Sequence, residues 1–202
     1  MEYTILPVIR TKRLSEAFFE LVLKKKREIC YGPGDCIYIK KSTSDGTSKY
    51  RPYFIASGTQ EPWLRVIIRA NYRTMDLQAL KAGDKVRVKP KLFSVFPSLA
   101  SADRPVFICA SVGISPFLSY ISTSPSAKLD MYIIGDVPNM EWVKNYKQAI
   151  ICASAGELEG KFKAQSRPVH YICAPKIQAQ AIKNLLKRSG IKEDKINYID
   201  FK

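Results

Sequence analysis

The fold class predicted by this sequence is two modules, an N-terminal antiparallel six-stranded β-barrel followed by an α/β domain built on a doubly wound parallel sheet. Three observations carry the prediction. The first half consists of short alternating apolar and polar segments separated by turn residues, the pattern of a barrel or sandwich. A small-residue stretch, Pro97-Ser98-Leu99-Ala100-Ser101-Ala102-Asp103-Arg104-Pro105, then reads as a linker. Beyond it, continuous apolar runs too short for helices alternate with helical patterns, as a sheet covered on both faces requires. The division falls at residues 1–99 and 100–202, two modules of roughly the size of common small domains.

In the first module strands are expected over Tyr3–Arg10, Phe18–Leu23, Cys36–Lys40, Tyr53–Ser57, Leu64–Arg69 and Lys85–Lys89. The turns between them include Tyr31-Gly32-Pro33-Gly34-Asp35, Ser44-Asp45-Gly46 and Ala82-Gly83-Asp84. One helix-like interruption, Met75–Lys81, precedes the last strand. In the second module buried strands are expected over Val106–Ala110, Met131–Ile134, Ala149–Cys152 and Val169–Cys173. Helices are expected over Ser115–Ile121, Met140–Gln148 and Lys176–Ser189, the last with Lys187 and Arg188 in its final turn and Gly190 placed to stop it. A final strand, Ile196–Phe201, lies at a sheet edge.

Composition narrows the function classes. The chain of 202 residues is 46% hydrophobic and 25% charged, the balance of an ordinary globular protein. It has no apolar run of the ~18 residues a spanning helix needs and no secretory signal pattern at its start, so the expected address is cytoplasmic, or an organelle matrix if a presequence was removed. Five cysteines, Cys30, Cys36, Cys109, Cys152 and Cys173, without a CxxC pair argue against a disulfide framework and against a zinc or iron–sulfur clasp. The single histidine, His170, cannot anchor a Ser-His-Asp set or a metal cluster. The net charge of +15, about two thirds of it in residues 1–100, calls for an acidic partner. Because the basic residues are spread over many strands and turns instead of forming one stripe interleaved with aromatics, nucleic acid is not the expected partner.

Seven short segments carry chemistry. Arg51-Pro52-Tyr53-Phe54 pairs a cation suited to a pyrophosphate with an aromatic ring suited to stacking. Tyr31-Gly32-Pro33-Gly34-Asp35 lies upstream of it, and downstream come Ile68-Arg69 and then Thr74, ahead of the short helix. Val106-Phe107-Ile108-Cys109-Ala110-Ser111-Val112-Gly113-Ile114-Ser115-Pro116-Phe117 reads as strand, loop and helix start, where backbone amides favour an anion and Pro116 falls in the first turn. His170-Tyr171-Ile172-Cys173-Ala174-Pro175 ends a strand, and the chain closes on Tyr198-Ile199-Asp200-Phe201-Lys202.

In that order these motifs resemble the landmarks of the ferredoxin–NADP reductase superfamily, whose members include cytochrome-linked NADH reductases. The resemblance spans nearly the whole chain. It implies a flavin-binding barrel and a nicotinamide-binding α/β domain, with FAD, or less typically FMN, as cofactor and NADH or NADPH as substrate. It assigns Arg51 to the pyrophosphate, Pro52, Phe54, Ile68 and Arg69 to strands lining the flavin, Tyr53 to the isoalloxazine, and Thr74 to the pyrophosphate from a helix start. Gly113, Ile114, Ser115 and Pro116 take the dinucleotide, Cys173 lies beside flavin and nicotinamide during hydride transfer, and Phe201 covers one flavin face. Asp136, after Tyr132-Ile133-Ile134-Gly135, is placed to accept from an adenosine 2′-hydroxyl, which points to NADH; Lys144 and Lys147 nearby point the other way.

The pattern departs from the family at several positions. Phe54 stands where a hydroxyl residue would bond flavin N5. Ala110 and Ser111 in the loop, Ala174 in the Cys-Gly-Pro position, and Lys89 with Leu92 stand where glycines are usual, and a β-carbon there forbids a positive φ or blocks approach to phosphate. The leading expectation is an enzyme that passes electrons from NAD(P)H through FAD to a separate acidic carrier such as a ferredoxin, a flavodoxin or a cytochrome. The alternative is a degenerate, non-catalytic relative serving as a structural subunit of a larger complex.

Overall fold

The computed structural model describes residues 3–42, 49–94, 96, 98–99, 103–136, 138, 149–162 and 168–201, with 90–93 described by backbone alone. The helix expected over Met140–Gln148 with Lys144 and Lys147, the turn at Ser44-Asp45-Gly46 and the side chain of Leu92 lie outside them. By their internal contacts the residues form two compact units, Met1–Pro97 with Ser115–Ser124, and Ser98–Ile114 with Pro125–Lys202.

The first unit contains β1 (Thr4–Arg13), β2 (Phe18–Lys24), β3 (Asp35–Lys41), β4 (Arg51–Phe54), β5 (Trp63–Arg69), the single-turn helix α1 (Met75–Gln78) and β6 (Lys85–Ser94). The strands pair antiparallel in the order β4-β3-β6-β1-β2-β5, and a bridge from Ile55 to Val66 joins the two outer strands, closing the barrel. Closure removes the exposed edges that would otherwise pair with other chains. Alternation decides which residues face in: Leu6 and Val8, Ile37 and Ile39, Val86 and Val88 point to the interior and are buried. Each such side chain contributes about 1.5–3 kcal/mol.

β2 breaks the alternation, since every residue from Phe18 to Leu23 is buried. Its outward Glu20 is covered by Arg10, whose Nη2 donates to Oε2 at 3.1 Å, and by Arg65 at 3.9 Å. Two strands outrun their sequence signal for the same reason, a paired neighbour: β1 continues to Arg13 against Phe19, and β6 to Ser94 against Asp35. Between β2 and β3 the backbone turns at Gly34 (φ +90°), where a side chain would also meet Phe96 at 3.2 Å.

Helix α2 (Ser115–Thr123), expected within residues 100–202, packs with the barrel residues. Ser119 Oγ donates to the carbonyl of Ser57 at 2.7 Å, and Gln60 Nε2 donates to that of Ser122 at 2.9 Å. The approach is close enough that a Cβ on Gly58 would fall 2.9 Å from the Ser122 backbone.

The second unit is a five-stranded parallel sheet of β7 (Val106–Ala110), β8 (Asp130–Ile134), β9 (Ala149–Cys152), β10 (His170–Pro175) and β11 (Ile196–Phe201). The order is β11-β10-β7-β8-β9: the chain winds outward from β7 to β9, returns beside β7 with β10 and ends at the edge with β11. That reversal is the double winding the sequence predicts. Helix α3 (Ala155–Lys161), which hydrophobic periodicity does not announce, begins at a Ser-x-x-Glu box. Ser154 Oγ accepts from Glu157 N, and Glu157 Oε2 accepts from Ala153 N. Helix α4 (Lys176–Arg188) buries Ala179, Ile182, Leu185 and Leu186 against the sheet. It ends in a Schellman motif, with Ile191 N donating to Leu186 O and Gly190, at φ +83°, donating to Lys187 O.

Among the described residues no helix is long and apolar enough to cross a membrane.

Candidate functional site

At the barrel closure, β4 carries Arg51, Pro52, Tyr53 and Phe54, while β5 carries Ile68 and Arg69. The structure brings Arg51 and Tyr53 together as the sequence implies. Tyr53 packs against the barrel core, and burial pushes its hydroxyl up to about 12, with the neighbouring Arg51 guanidinium pulling it partly back. The phenol therefore stays neutral at any physiological pH. Phe54 is half-buried, and the Ile68 side chain is sunk in the core, leaving only its backbone for any ligand.

Two partners were not legible in the sequence. Arg51 Nη1 stands 3.9 Å from Asp76 Oδ1 in α1, with both side chains about one third exposed. An anion offered to Arg51 meets that carboxylate as a competitor. Thr74 precedes α1 as expected, but its hydroxyl does not cap the helix. It donates to Arg69 O at 2.9 Å and accepts from Asn71 N at 3.1 Å, fastening the loop that follows β5. Being one turn long, α1 also has little dipole to offer an anion.

In the second unit the candidate residues gather at the C-terminal ends of parallel strands. β7 and β10, the first and fourth strands of this sheet, lie side by side, which makes the space beyond their ends the topological switch point where ligands of such sheets bind. Beyond β7 a 3-10 turn, Ser111–Ile114, leads into α2. Gly113 in that turn is pressed on the end of β10: a Cβ there would fall 2.0 Å from the Cys173 carbonyl oxygen and 3.2 Å from its Sγ. The glycine is required by the neighbouring strand, not only by an approaching phosphate, and this contact places Gly113 directly against Cys173. Ile114, Ser115 and Pro116 are all buried.

The altered glycine positions have separate outcomes. The methyls of Ala110 and Ala174 point into the core of the sheet unit and so do not stand in a ligand's way. Ser111 does not forbid the left-handed backbone but adopts it, at φ +56°, a conformation that costs a non-glycine residue about 1–2 kcal/mol. Among the described residues its hydroxyl, in a residue only 8% exposed, has no hydrogen-bond partner, and neither has that of the fully buried Ser115 at the first position of α2. Buried hydroxyls without partners are costly. Both are donors able to serve an anion.

Asp136 is exposed just past β8, after Gly135 at φ +68°, and Phe201 is half-buried at the end of β11 opposite Pro175. His170 is buried in β10 beside Phe162. Burial holds its pKa below the ordinary histidine value, while the backbone of Lys195 and Pro168 pulls it partway back.

A closed six-stranded barrel followed by a five-stranded, doubly wound parallel sheet is the fold of ferredoxin–NADP reductase-like flavoproteins, and comparison with solved structures agrees. The chain is similar to a ferredoxin–NADP+ reductase from Neisseria gonorrhoeae with bound FAD and NADP, at 12% identity and TM-score 0.81 over 99% of both chains. It is similar to the FAD/NAD-binding domain of nitric oxide dioxygenase from Vibrio cholerae, at 16% identity and TM-score 0.82 over 100% of this chain and 99% of that one. A flavohemoglobin from Malassezia yamatoensis with bound FAD and heme matches at 17% identity and TM-score 0.80; this chain is covered whole and spans 61% of the flavohemoglobin. No protein-family model matches the sequence, and no curated protein does.

Proposed function

We propose that this protein is a flavin-dependent NAD(P)H oxidoreductase that passes electrons from a pyridine nucleotide through FAD to a separate carrier. Residues 1–99 hold the flavin in this reading, and residues 100–202 the nucleotide. The observation that carries it is the pairing of Arg51 with the core-anchored ring of Tyr53 at the barrel closure. There a fixed cation and a flat neutral aromatic stand side by side on one short strand.

The residues fit the groups. Arg51 is exposed enough to bind a diphosphate, displacing Asp76, and Tyr53 offers a ring face whose hydroxyl stays protonated. The Ser111 hydroxyl, without a hydrogen-bond partner among the described residues, supplies a donor to a second anion, that of the pyridine nucleotide, in the turn beyond β7. Asp136 accepts from a ribose 2′-hydroxyl and repels a 2′-phosphate, which favours NADH. Cys173, held by Gly113 at the end of β10, lies with Phe201 where the nicotinamide is received. A bound flavin supplies two-electron acceptance and one-electron release, so the chain needs no acid–base pair of its own.

Purified protein supplemented with FAD should show the visible flavin band and lose it on anaerobic addition of NADH. Arg51→Ala should weaken the affinity for FAD at least tenfold, a charge-assisted contact being worth about 1.5–3 kcal/mol. The mass of the extracted cofactor separates FAD from FMN. A chain that takes up no flavin, or whose flavin ignores both NADH and NADPH, goes against the enzyme and favours the second reading, a non-catalytic structural subunit. The pairing of Arg51 with Asp76 is the observation favouring that second reading.

A further inference from the structure

We propose that the outer face of the barrel over β3, β6 and β1, centred on Arg87, is a docking surface for an acidic protein partner. The basic residues that the sequence spreads over separate strands are gathered there by register. On β6, Val86 and Val88 point inward and are fully buried, so Arg87 and Lys89 point outward. Arg87 stands directly opposite Lys40 of β3 on one side and Ile5 of β1 on the other, and Lys89 stands opposite Tyr38.

Two like charges opposite each other on one face cost stability. Several cations elsewhere are matched by carboxylates: Arg10 and Arg65 share Glu20, Lys161 pairs with Glu157, and Lys183 and Lys187 share Glu193. Among the described residues no carboxylate pairs with Lys40, Arg87 or Lys89. Aromatic rings hold them instead. Arg87 lies over Tyr3 at 4.8 Å, and Lys89 and Lys40 lie over Tyr50 at 4.4 and 5.2 Å. The Nε of Arg87 is buried without an acceptor. The result is one patch of fixed positive charge with no carboxylate paired to it among the described residues.

The occupant follows from what else the patch shows. Its Tyr3 and Tyr50 rings are already covered by cations, so bases could stack on them only by displacing those cations. Beside the cations Tyr3, Ile5 and Ile9 are 40–46% exposed, giving the mixture of aromatic, aliphatic and basic surface that anchors protein interfaces. A carboxylate-rich protein surface complements both features. The surface is centred on β6 and β1, two and three strands from β4 in the order β4-β3-β6-β1-β2-β5, while Lys40 on β3 and Tyr50, the residue before Arg51, adjoin the strand that carries Arg51 and Tyr53.

The test compares binding of the whole chain to poly-L-glutamate, to a single-stranded RNA oligonucleotide and to phosphatidylserine-containing vesicles at near-physiological salt. The triple reversal Lys40→Glu, Arg87→Glu, Lys89→Glu is set against a control with the same charge change, Lys26→Glu, Arg27→Glu, Lys192→Glu. The expected result is that poly-L-glutamate binds tightest, that the patch variant weakens it at least tenfold, and that the control weakens it less than threefold. Should the triple variant fail to fold, Lys40→Gln with Lys89→Gln reads the same loss at smaller amplitude while keeping the packing. Equal losses in patch variant and control overturn the proposal, as does tighter binding of RNA or vesicles. Binding of poly-L-glutamate is read on protein without added flavin, so a failure of the redox reading leaves this result standing.

Discussion

Substituting Gly113 by alanine tests whether the glycine serves the neighbouring strand or only a ligand. The new Cβ would sit 2.0 Å from the Cys173 carbonyl oxygen and 2.6 Å from its carbonyl carbon. A carbon normally comes no nearer to such an oxygen than about 3.3 Å, so the two backbones must part by about 1.3 Å. β10 cannot yield, because Cys173 is paired with Cys109 on one side and Ile199 on the other. The Ser111–Ile114 turn must move instead, and it carries Ile114, which is 1% exposed. Overpacking of this kind costs about 1–3 kcal/mol, and partial exposure of Ile114 adds about 1 more. The sum, about 2–4 kcal/mol, lowers the thermal midpoint by about 5–15 °C in a chain of this size. Calorimetry without added nucleotide reads the effect, with Gly160→Ala as control, since nothing lies within 4 Å of a Cβ there. That control should stabilise slightly, because alanine suits a helix better than glycine. A Gly113→Ala protein that melts within about 2 °C of the parent would refute the packing argument and return the glycine to the ligand alone.

Ser111→Gly removes both a left-handed serine and a buried hydroxyl without a partner, against the extra entropy glycine brings to the unfolded chain. A net gain of about 1 kcal/mol in urea unfolding is expected, and a loss would mean that Ser111 is not strained. His170 predicts a pH dependence: its folded-state pKa lies below its unfolded value near 6.5, so the stability contributed by the neutral ring is complete above pH 6.5 and is lost as pH falls towards the folded value. His170→Leu should flatten the thermal midpoint between pH 7 and pH 5 relative to the parent, and identical slopes in the two proteins would remove His170 as the cause.

Much of the architecture is local and was readable as such. Val86 and Val88 alternate with charged residues because a strand has period two; Pro116 marks a first helical turn because it lacks an amide; Gly190 ends α4 because it takes a positive φ at little cost. The strand Val106–Ala110 and the strand Ile196–Phe201 have the bounds the sequence implies. Helix α3 was not expected from the sequence; the signal that would have found it is the Ser154 and Glu157 box, since hydrophobic periodicity passes over it. Among the candidate residues, Arg51 and Tyr53 stand together because they share one short strand.

What the sequence by itself determined, then, is the character of each segment: which residues face inward, where chains turn, and which short motifs hold a cation, a ring or a glycine in fixed local geometry. Only the tertiary structure decided that Gly113 rests on Cys173 sixty residues away, that Asp76 answers Arg51, and that Lys40 and Arg87 face each other between two tyrosines. These are matters of register and closure between segments distant in the chain. Any one of them is set by the packing of all the others, so no local pattern encodes it.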